Sequence, residues 1–142
     1  MIKSAIPAVG ISNRWTYNNA GALLSYIDGE NKTWKYTASM RGQTTSSVSP
    51  LGIIQTYQYD ATNNLTKKSL KESNGTILSA TFGYNTLDLM TQVISPGSSS
   101  SQTRTQNMTW TPHHLVQSIT SPLGRTVTNQ YDNLDRLVKQ TV

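Results

Sequence analysis

An all-β fold of tandem hairpins is the fold class that this sequence predicts, and three observations predict it. Ser, Thr, Asn and Gln make up 57 of 142 residues, whereas only 13% of residues are charged. Segments that begin with an aromatic residue recur along the chain, and two turn sequences punctuate each recurring unit. Ser, Thr and Asn are poor helix formers, so the composition excludes a helical bundle.

The composition also excludes several kinds of site. Cysteine is absent, so there is no disulfide framework, thiolate metal site or cysteine nucleophile. No apolar run approaches the roughly 18 residues of a membrane span. We recognise no signal peptide in residues 1–11, because their apolar stretch is short and interrupted by Pro7. The densest basic cluster, Lys67, Lys68 and Lys71, is interpreted as a solvated hairpin end rather than a nucleic-acid footprint.

Six aromatic anchors define the repeat, at intervals of 19 to 26 residues. They are Tyr17, Tyr36, Tyr59, Tyr84, Trp110 and Tyr131. Six residues after the anchor comes an apolar residue in five copies, namely Leu23, Leu65, Met90, Val116 and Leu137, whereas the second copy has Gly42. We therefore expect two strands of roughly 6–8 residues per unit. Residues 1–13 form a lead-in, and residues 14–142 form about six degenerate repeats, the last incomplete.

Turn residues recur at the fourth position after the anchor. This position holds Gly21, Met40, Asn63, Asp88, His114 and Asp135. Gly, Asn, Asp and His tolerate positive φ, so we predict a left-handed turn residue in every copy except the second. A second turn falls within each unit at Asp28-Gly29, Ser49-Pro50-Leu51-Gly52, Ser73-Asn74-Gly75, Ser95-Pro96-Gly97 and Ser121-Pro122-Leu123-Gly124. Pro presets φ in such turns and Gly accepts positive φ.

Aromatic side chains two residues apart share one face of a strand. The pairs Trp15 with Tyr17, Trp34 with Tyr36, Tyr57 with Tyr59 and Phe82 with Tyr84 should therefore stack as a ladder across neighbouring copies. Two interpretations stay open for the stripe of Trp15, Trp34 and Tyr57: a packed sheet face or an exposed binding platform for sugars. The strands after the anchors do not alternate cleanly, so the sequence assigns them no buried face.

Chemistry-bearing residues have structural explanations. His113 and His114 lack further ligands at metal-binding spacing, and His114 occupies the turn position. Asp60 and Asp132 share one repeat position, which favours capping of turn amides over a general acid–base pair. No GxSxG elbow or phosphate-binding glycine loop is present. We therefore predict no catalytic residue, no metal and no cofactor.

The copies YDATNNLTKKSL and YDNLDRLVKQTV, with their SPLG turns, resemble the YD repeat of Rhs (rearrangement hotspot) proteins, the C component of Tc toxins, and teneurins. Tyr59, Asp60 and Leu65 fit that pattern, as do Tyr131 and Leu137. Four copies lack the Asp beside the anchor.

The resemblance implies a curved antiparallel sheet, a segment of a spiral shell that encloses a toxin domain. It implies a bacterial protein that is secreted or part of a delivered toxin complex, and a structural role without catalysis. The expected partners are further YD-repeat chain, another copy joined through the sheet edges, or a toxin cargo domain, with no nucleic acid and no membrane span. The alternative is a module that binds glycans or a protein through its aromatic stripe.

Overall fold

A computed structural model describes residues 2–5, 12–97 and 102–142. These residues form thirteen strands and no helix, which confirms the predicted all-β class. Residues 6–11 of the predicted lead-in lie outside the described part. The strands are β1 (Ile2–Ala5), β2 (Asn13–Tyr17), β3 (Leu23–Ile27), β4 (Thr33–Ala38), β5 (Thr44–Val48), β6 (Ile54–Tyr59), β7 (Leu65–Lys71), β8 (Ile77–Tyr84), β9 (Met90–Pro96), β10 (Thr103–Trp110), β11 (Val116–Thr120), β12 (Thr126–Tyr131) and β13 (Leu137–Thr141).

The order of the strands in the sheet is their order in the chain. The chain divides into two compact units: unit 1 comprises Met1–Gln58 and Lys68–Leu78, and unit 2 comprises Tyr59–Lys67 and Ser79–Val142. In unit 1 each strand from β1 to β6 pairs antiparallel with the next. In unit 2 the same holds from β8 to β13. Every pairing is therefore a hairpin between neighbours in sequence.

Ten turns among the described residues share one hydrogen-bond pattern. The amide of the first residue donates to the carbonyl of the fifth, and the amide of the fourth donates to the carbonyl of the first. The fourth residue has a φ between 59° and 88° in all ten. These residues are Gly21, Asn31, Gly42, Gly52, Asn63, Gly75, Asp88, His114, Gly124 and Asp135. Five of the ten are thus the predicted turn positions.

The first residue of these turns is Asn, Asp, Ser or Thr in nine of the ten. In nine of the ten turns its side-chain oxygen accepts the amide of the fifth residue. Asn18 makes a second hydrogen bond within its turn, because its Oδ1 also accepts a hydrogen bond from the backbone amide of Ala20 at 3.0 Å. A short polar side chain that bonds its own turn favours the turn over regular structure.

The second copy is corrected by the structure. Its turn follows Ala38, not Tyr36, because the turn hydrogen bonds join Ser39 to Gln43 and Gly42 to Ser39. The turn position of this copy is therefore Gly42, with a φ of 81°, and not Met40, and the expectation that the second copy lacks a left-handed turn residue is wrong. The true anchor position holds an alanine, and Tyr36 and Trp34 lie two and four residues before it. The mistake arose because Tyr36 is the nearest aromatic residue to that turn.

Two of the second turns also differ from expectation. In the turn that begins at Asp28, the left-handed residue is Asn31, with a φ of 61°, rather than Gly29. Ser95 and Pro96 belong to β9 instead of a turn. Gly97 is required by a close approach rather than by its φ, since a Cβ there would lie 2.7 Å from that of Gln102.

A β-bulge follows each anchor turn whose pairing the structure describes. Thr16 pairs with Ser25 and Tyr17 with Leu23, so Leu24 is an extra residue on the second strand. The same shift occurs beside Ala38, Tyr84, Trp110 and Tyr131. One extra residue shifts the alternation of side chains. Apolar residues three apart therefore share a face, namely Leu23 with Tyr26, Met90 with Val93 and Val116 with Ile119.

In unit 1 and in unit 2, one face of the sheet carries the aromatic rings and is here called the aromatic face. The other face is rich in hydroxyl groups and is here called the polar face. The polar face contains the pairs Thr16–Ser25, Thr37–Ser46 and Thr109–Ser118, with oxygens 2.7 to 2.8 Å apart. No side chain on either face is buried among the described residues. The accessible surface is 9888 Å², against about 7,300 Å² for a compact protein of this mass. In the described part of the chain, both sheet faces are therefore open and there is no core.

Gly52→Ala should destabilise the chain by about 1 kcal/mol, because a φ of 76° is unfavourable for a residue with a Cβ. A steric clash does not contribute, since a Cβ at this position would meet no atom within 4 Å. Gly52→Asn should cost less, since Asn31 and Asn63 hold the same position. Leu51→Ala in the same turn is the matched control. That side chain is 78% exposed, so its change should stay within about 0.5 kcal/mol. Urea unfolding midpoints measure all three, and equal losses for Gly52→Ala and Leu51→Ala would contradict the assignment.

Candidate functional site: the contacts between repeats

In unit 2, the anchor of each repeat reaches back to the repeat before it. The Tyr84 hydroxyl donates to the carbonyl of Leu65 at 3.0 Å, and the Trp110 Nε1 donates to the carbonyl of Met90 at 2.8 Å. The Tyr131 hydroxyl donates to the carbonyl of Val116 at 2.8 Å. Each acceptor is the sixth residue after the preceding anchor. These three bonds, here called the anchor links, join the two residue positions that define the repeat.

The bulge explains why the acceptor lies at this position. Met90 and Val116 are each opposite an anchor at the point where the register shifts. A bulge disrupts the regular ladder, so a carbonyl there can accept from a side chain. Burial raises the pKa of Tyr84, with a smaller contribution from the charge of Asp60.

The first two anchor positions, both in unit 1, differ from those of the anchor links. Ala38 at the second anchor position has no side-chain donor, so the carbonyl of Leu23 receives no anchor link. The Tyr17 hydroxyl has no hydrogen bond to a described residue. Tyr59, the third anchor, is the first residue of unit 2 and ends β6.

The predicted stripe is only partly assembled. Trp15 stacks on Tyr26 with ring centroids 5.4 Å apart, and Tyr26 contacts Trp34 at 5.2 Å. The register places these three rings opposite one another on consecutive strands. Tyr57 is separate, because its partners are Gln55, through a 2.6 Å hydrogen bond, and the Lys68 ammonium, 5.8 Å from the ring centroid. Sequence reasoning missed Tyr26, which lies on the strand after the bulge, where alternation from the anchor fails.

Turns of successive repeats also touch in unit 2. Asp88 Oδ1 accepts one hydrogen bond from the Thr62 hydroxyl at 2.9 Å and another from the side-chain Nδ2 of Asn64 at 2.6 Å. His113 Nδ1 lies 2.6 Å from Asp135 Oδ1 in the next repeat. The left-handed residues Asp88 and Asp135 therefore also carry contacts between repeats, and so does His113. Both His113 and Asp135 are exposed, and an exposed ion pair contributes little to stability.

Asp60 and Asp132 act within their own turns. Partial desolvation acts to raise the pKa of Asp60, but hydrogen bonds from the Asn64 and Thr62 amides and side chains outweigh it and lower that pKa. The pKa of Asp132 is lowered chiefly by the side-chain hydrogen bond from Arg136, then by the backbone amide of Arg136. Both carboxylates therefore stabilise the fold above the unfolded-state pKa of about 3.9, and this is lost as pH falls through their folded-state values.

No group of three or more His, Asp or Glu side chains suited to a metal ion occurs in the described part of the chain. Nor do those residues include a helix that could span a membrane. His114 is exposed at the left-handed turn position, with a φ of 63°. The side-chain hydrogen bonds described above join strands and repeats.

Residues 40–77 match the RHS repeat family. The chain carries an RHS repeat. The matched residues run from the turn of the second copy to β8, and they include the Tyr59-Asp60 pair. The resemblance to the YD-repeat family is thus confirmed. No curated protein sequence matches the chain.

Comparison with solved structures shows one that shares the fold of this chain. The Photorhabdus luminescens Tc holotoxin pore matches 92% of the chain at 15% identity with a TM-score of 0.64. A TcdB2–TccC3 crystal structure matches 96% of the chain at 12% sequence identity with a TM-score of 0.39. A porin-like protein from Bacteroides uniformis matches 96% of the chain at 13% sequence identity with a TM-score of 0.38. The first score shows a common fold, and the other two are too low to show one. The chain spans 9% of the Tc structure and 11% of the TcdB2–TccC3 structure, and it covers 85% of the porin-like protein.

Tyr84→Phe should destabilise the chain by about 0.5–1.5 kcal/mol, since it removes the hydroxyl and leaves the ring. Tyr17→Phe is the matched control, because that hydroxyl makes no described hydrogen bond, and its cost should stay within about 0.5 kcal/mol. Urea unfolding followed by tryptophan emission compares the two. Equal losses would show that the anchor link to Leu65 does not stabilise the fold.

Proposed function

We propose that this chain is a non-catalytic structural segment of an RHS-repeat shell, of the kind that encapsulates a toxin domain. The anchor links carry the proposal, because they use the residues that define the repeat to join one hairpin to the next. A side chain used to bond the backbone of its neighbour serves assembly of an array. The RHS match and the shared Tc fold support the same conclusion.

The absence of a core among the described residues also supports an assembly role. An array with both sheet faces in water has little apolar burial to offset the entropy of folding. Ten large apolar side chains are at least 39% exposed, among them Met40 at 104% and Leu123 at 97%. A larger structure that covers one face would supply the missing burial.

The two faces of the sheet differ in their side chains, as we expect for the two sides of a shell wall. The aromatic face carries the anchors and the ring ladder, whereas the polar face carries rows of Thr and Ser that bond one another. With 13% charged residues, the wall is wetted mainly by hydroxyl and amide groups. Under this proposal the partners are further RHS-repeat chain at the sheet edges and a cargo domain. The location is then a bacterial toxin complex, as the resemblance implies.

A binding module is the second candidate function, and one observation favours it. Trp15, Tyr26 and Trp34 form a continuous row of three half-exposed rings. Stacked aromatic surfaces of this kind can receive a sugar ring or a partner side chain. Their contacts with one another equally explain them as packing of the sheet, so we propose the shell role first.

Light scattering behind a sizing column, over a concentration series, tests the proposal. The isolated chain should self-associate through its uncovered edges and aromatic face. Its tryptophan emission should shift to the blue as it associates and should not respond to a panel of glycans. A stable monomer of 15.7 kDa throughout the series would contradict the shell role. Saturable quenching by a glycan that is abolished by Trp34→Ala, but not by Trp110→Phe, would establish the binding module instead.

A further inference from the structure

We propose that a groove between two successive anchor turns of unit 2 binds an uncharged saccharide. The groove is lined by residues of the turns at 111–115 and 132–136 and of the strands beside them, and its volume is about 520 Å³. Small-molecule sites typically have volumes of roughly 300–1,000 Å³. The site is separate from the row of Trp15, Tyr26 and Trp34, because no tryptophan lines the groove.

Three exposed side-chain amides line this groove and make no hydrogen bond to another residue in the described part of the chain. They belong to Gln117, Gln130 and Asn133, and the site is here called the amide groove. Other amides of unit 2 are used within the fold, as in the 2.9 Å hydrogen bond from Gln140 Nε2 to Asn129 Oδ1. A side-chain amide can donate two hydrogen bonds and accept two. The three amides therefore offer both donors and acceptors to a ligand.

These amides are departures from the repeat. Gln130 precedes the anchor Tyr131 by one residue, and in the preceding copy this position holds Thr109. The Thr109 hydroxyl oxygen lies 2.7 Å from that of Ser118 on the next strand, whereas the Gln130 amide bonds no described residue. The residues of the preceding copy that are equivalent to Gln117, Gln130 and Asn133 are Thr91, Thr109 and Pro112. Strand pairing and turn formation therefore do not require an amide at these positions.

The bulge brings two of the amides to the same face of the sheet. Gln130 lies on the polar face, because it alternates with Tyr131 on the aromatic face. Gln117 is the bulge residue of β11. The bulge residue of β5, Thr45, is also on the polar face, since its Oγ1 lies 2.9 Å from that of Thr37. The bulge thus adds to the groove an amide that regular alternation would place on the other face.

The rest of the lining favours a ligand without charge. Asp132 is paired with Arg136 at 2.7 Å, and Asp135 is paired with His113 at 2.6 Å, so the charged side chains that line the groove already have partners. The apolar part of the lining includes Pro112, Leu115 and Val138. A saccharide matches this combination, because its hydroxyl groups donate to and accept from amides and its C–H groups pack against apolar side chains.

Saturation-transfer NMR on the full chain tests the inference, with cellobiose, maltose and lactose as the probes. These uncharged disaccharides differ in linkage and in hydroxyl configuration, and the method works whether or not the chain self-associates. The double variant Gln117→Thr with Gln130→Thr restores the residue type of the preceding copy, so it should keep the fold. Asn133→Ser is a second, independent variant in the exposed turn. Gln106→Thr is the matched control, since Gln106 also lacks a described hydrogen bond but does not line the groove.

We expect at least one disaccharide to bind saturably to the original chain. The double variant should bind it about 5- to 150-fold more weakly, which is the effect of two hydrogen bonds, and Asn133→Ser about 2- to 12-fold more weakly. Gln106→Thr should bind as the original chain does. Urea unfolding midpoints check that each variant is folded.

No saturable binding of any probe, or full binding by the double variant and by Asn133→Ser, would overturn the amide groove. Full binding by those variants with loss of binding in Trp34→Ala would establish the aromatic row as the saccharide site instead. An equal loss in Gln106→Thr would also contradict the assignment. None of these outcomes bears on self-association of the chain, which tests the shell role separately.

Discussion

The anchor links depend on one backbone feature, a five-residue turn whose fourth residue is left-handed, followed by a bulge in each anchor-turn pairing that the structure describes. The turn fixes where each hairpin reverses, and the bulge disrupts the ladder beside the anchor. That disruption leaves a backbone carbonyl where the next anchor can reach it, as Trp110 and Tyr131 do. In unit 2, side-chain donors and backbone acceptors thus link neighbouring hairpins.

This arrangement explains how a sheet without a core keeps its register. In ordinary domains, burial of one face specifies which residues pair. Here no described side chain is buried, so register is held locally by the turns, by the anchor links and by paired hydroxyl groups such as Thr109 and Ser118. Local bonds of this kind suit a wall that grows by adding equivalent hairpins, with burial supplied by whatever covers its faces.

The sequence predicts most of the fold, because turn residues and anchors are chemically distinctive. It misplaced the second copy because Ala38 is not aromatic, although Ser39 and Gly42 repeat the first and fourth residues of the turn at Ser49 and Gly52. The bulge had a readable signal, the three-residue spacing of apolar residues such as Val116 and Ile119. The acceptors of the anchor links had none, since every residue has a backbone carbonyl. Tyr26 was missed because it lies beyond the bulge, where alternation from the anchor fails, and because the equivalent residues Val93 and Ile119 are not aromatic.

The second copy offers the most direct test of the central claim, since it has the turn and the bulge but lacks the donor. Ala38→Tyr should place a hydroxyl within reach of the carbonyl of Leu23, and Ala38→Phe supplies the same ring without it. Urea unfolding of the two variants isolates the anchor link. The Tyr variant is predicted to be more stable than the Phe variant by about 0.5–1.5 kcal/mol. Equal midpoints would contradict the claim that an anchor hydroxyl bonded to the preceding repeat holds the array together.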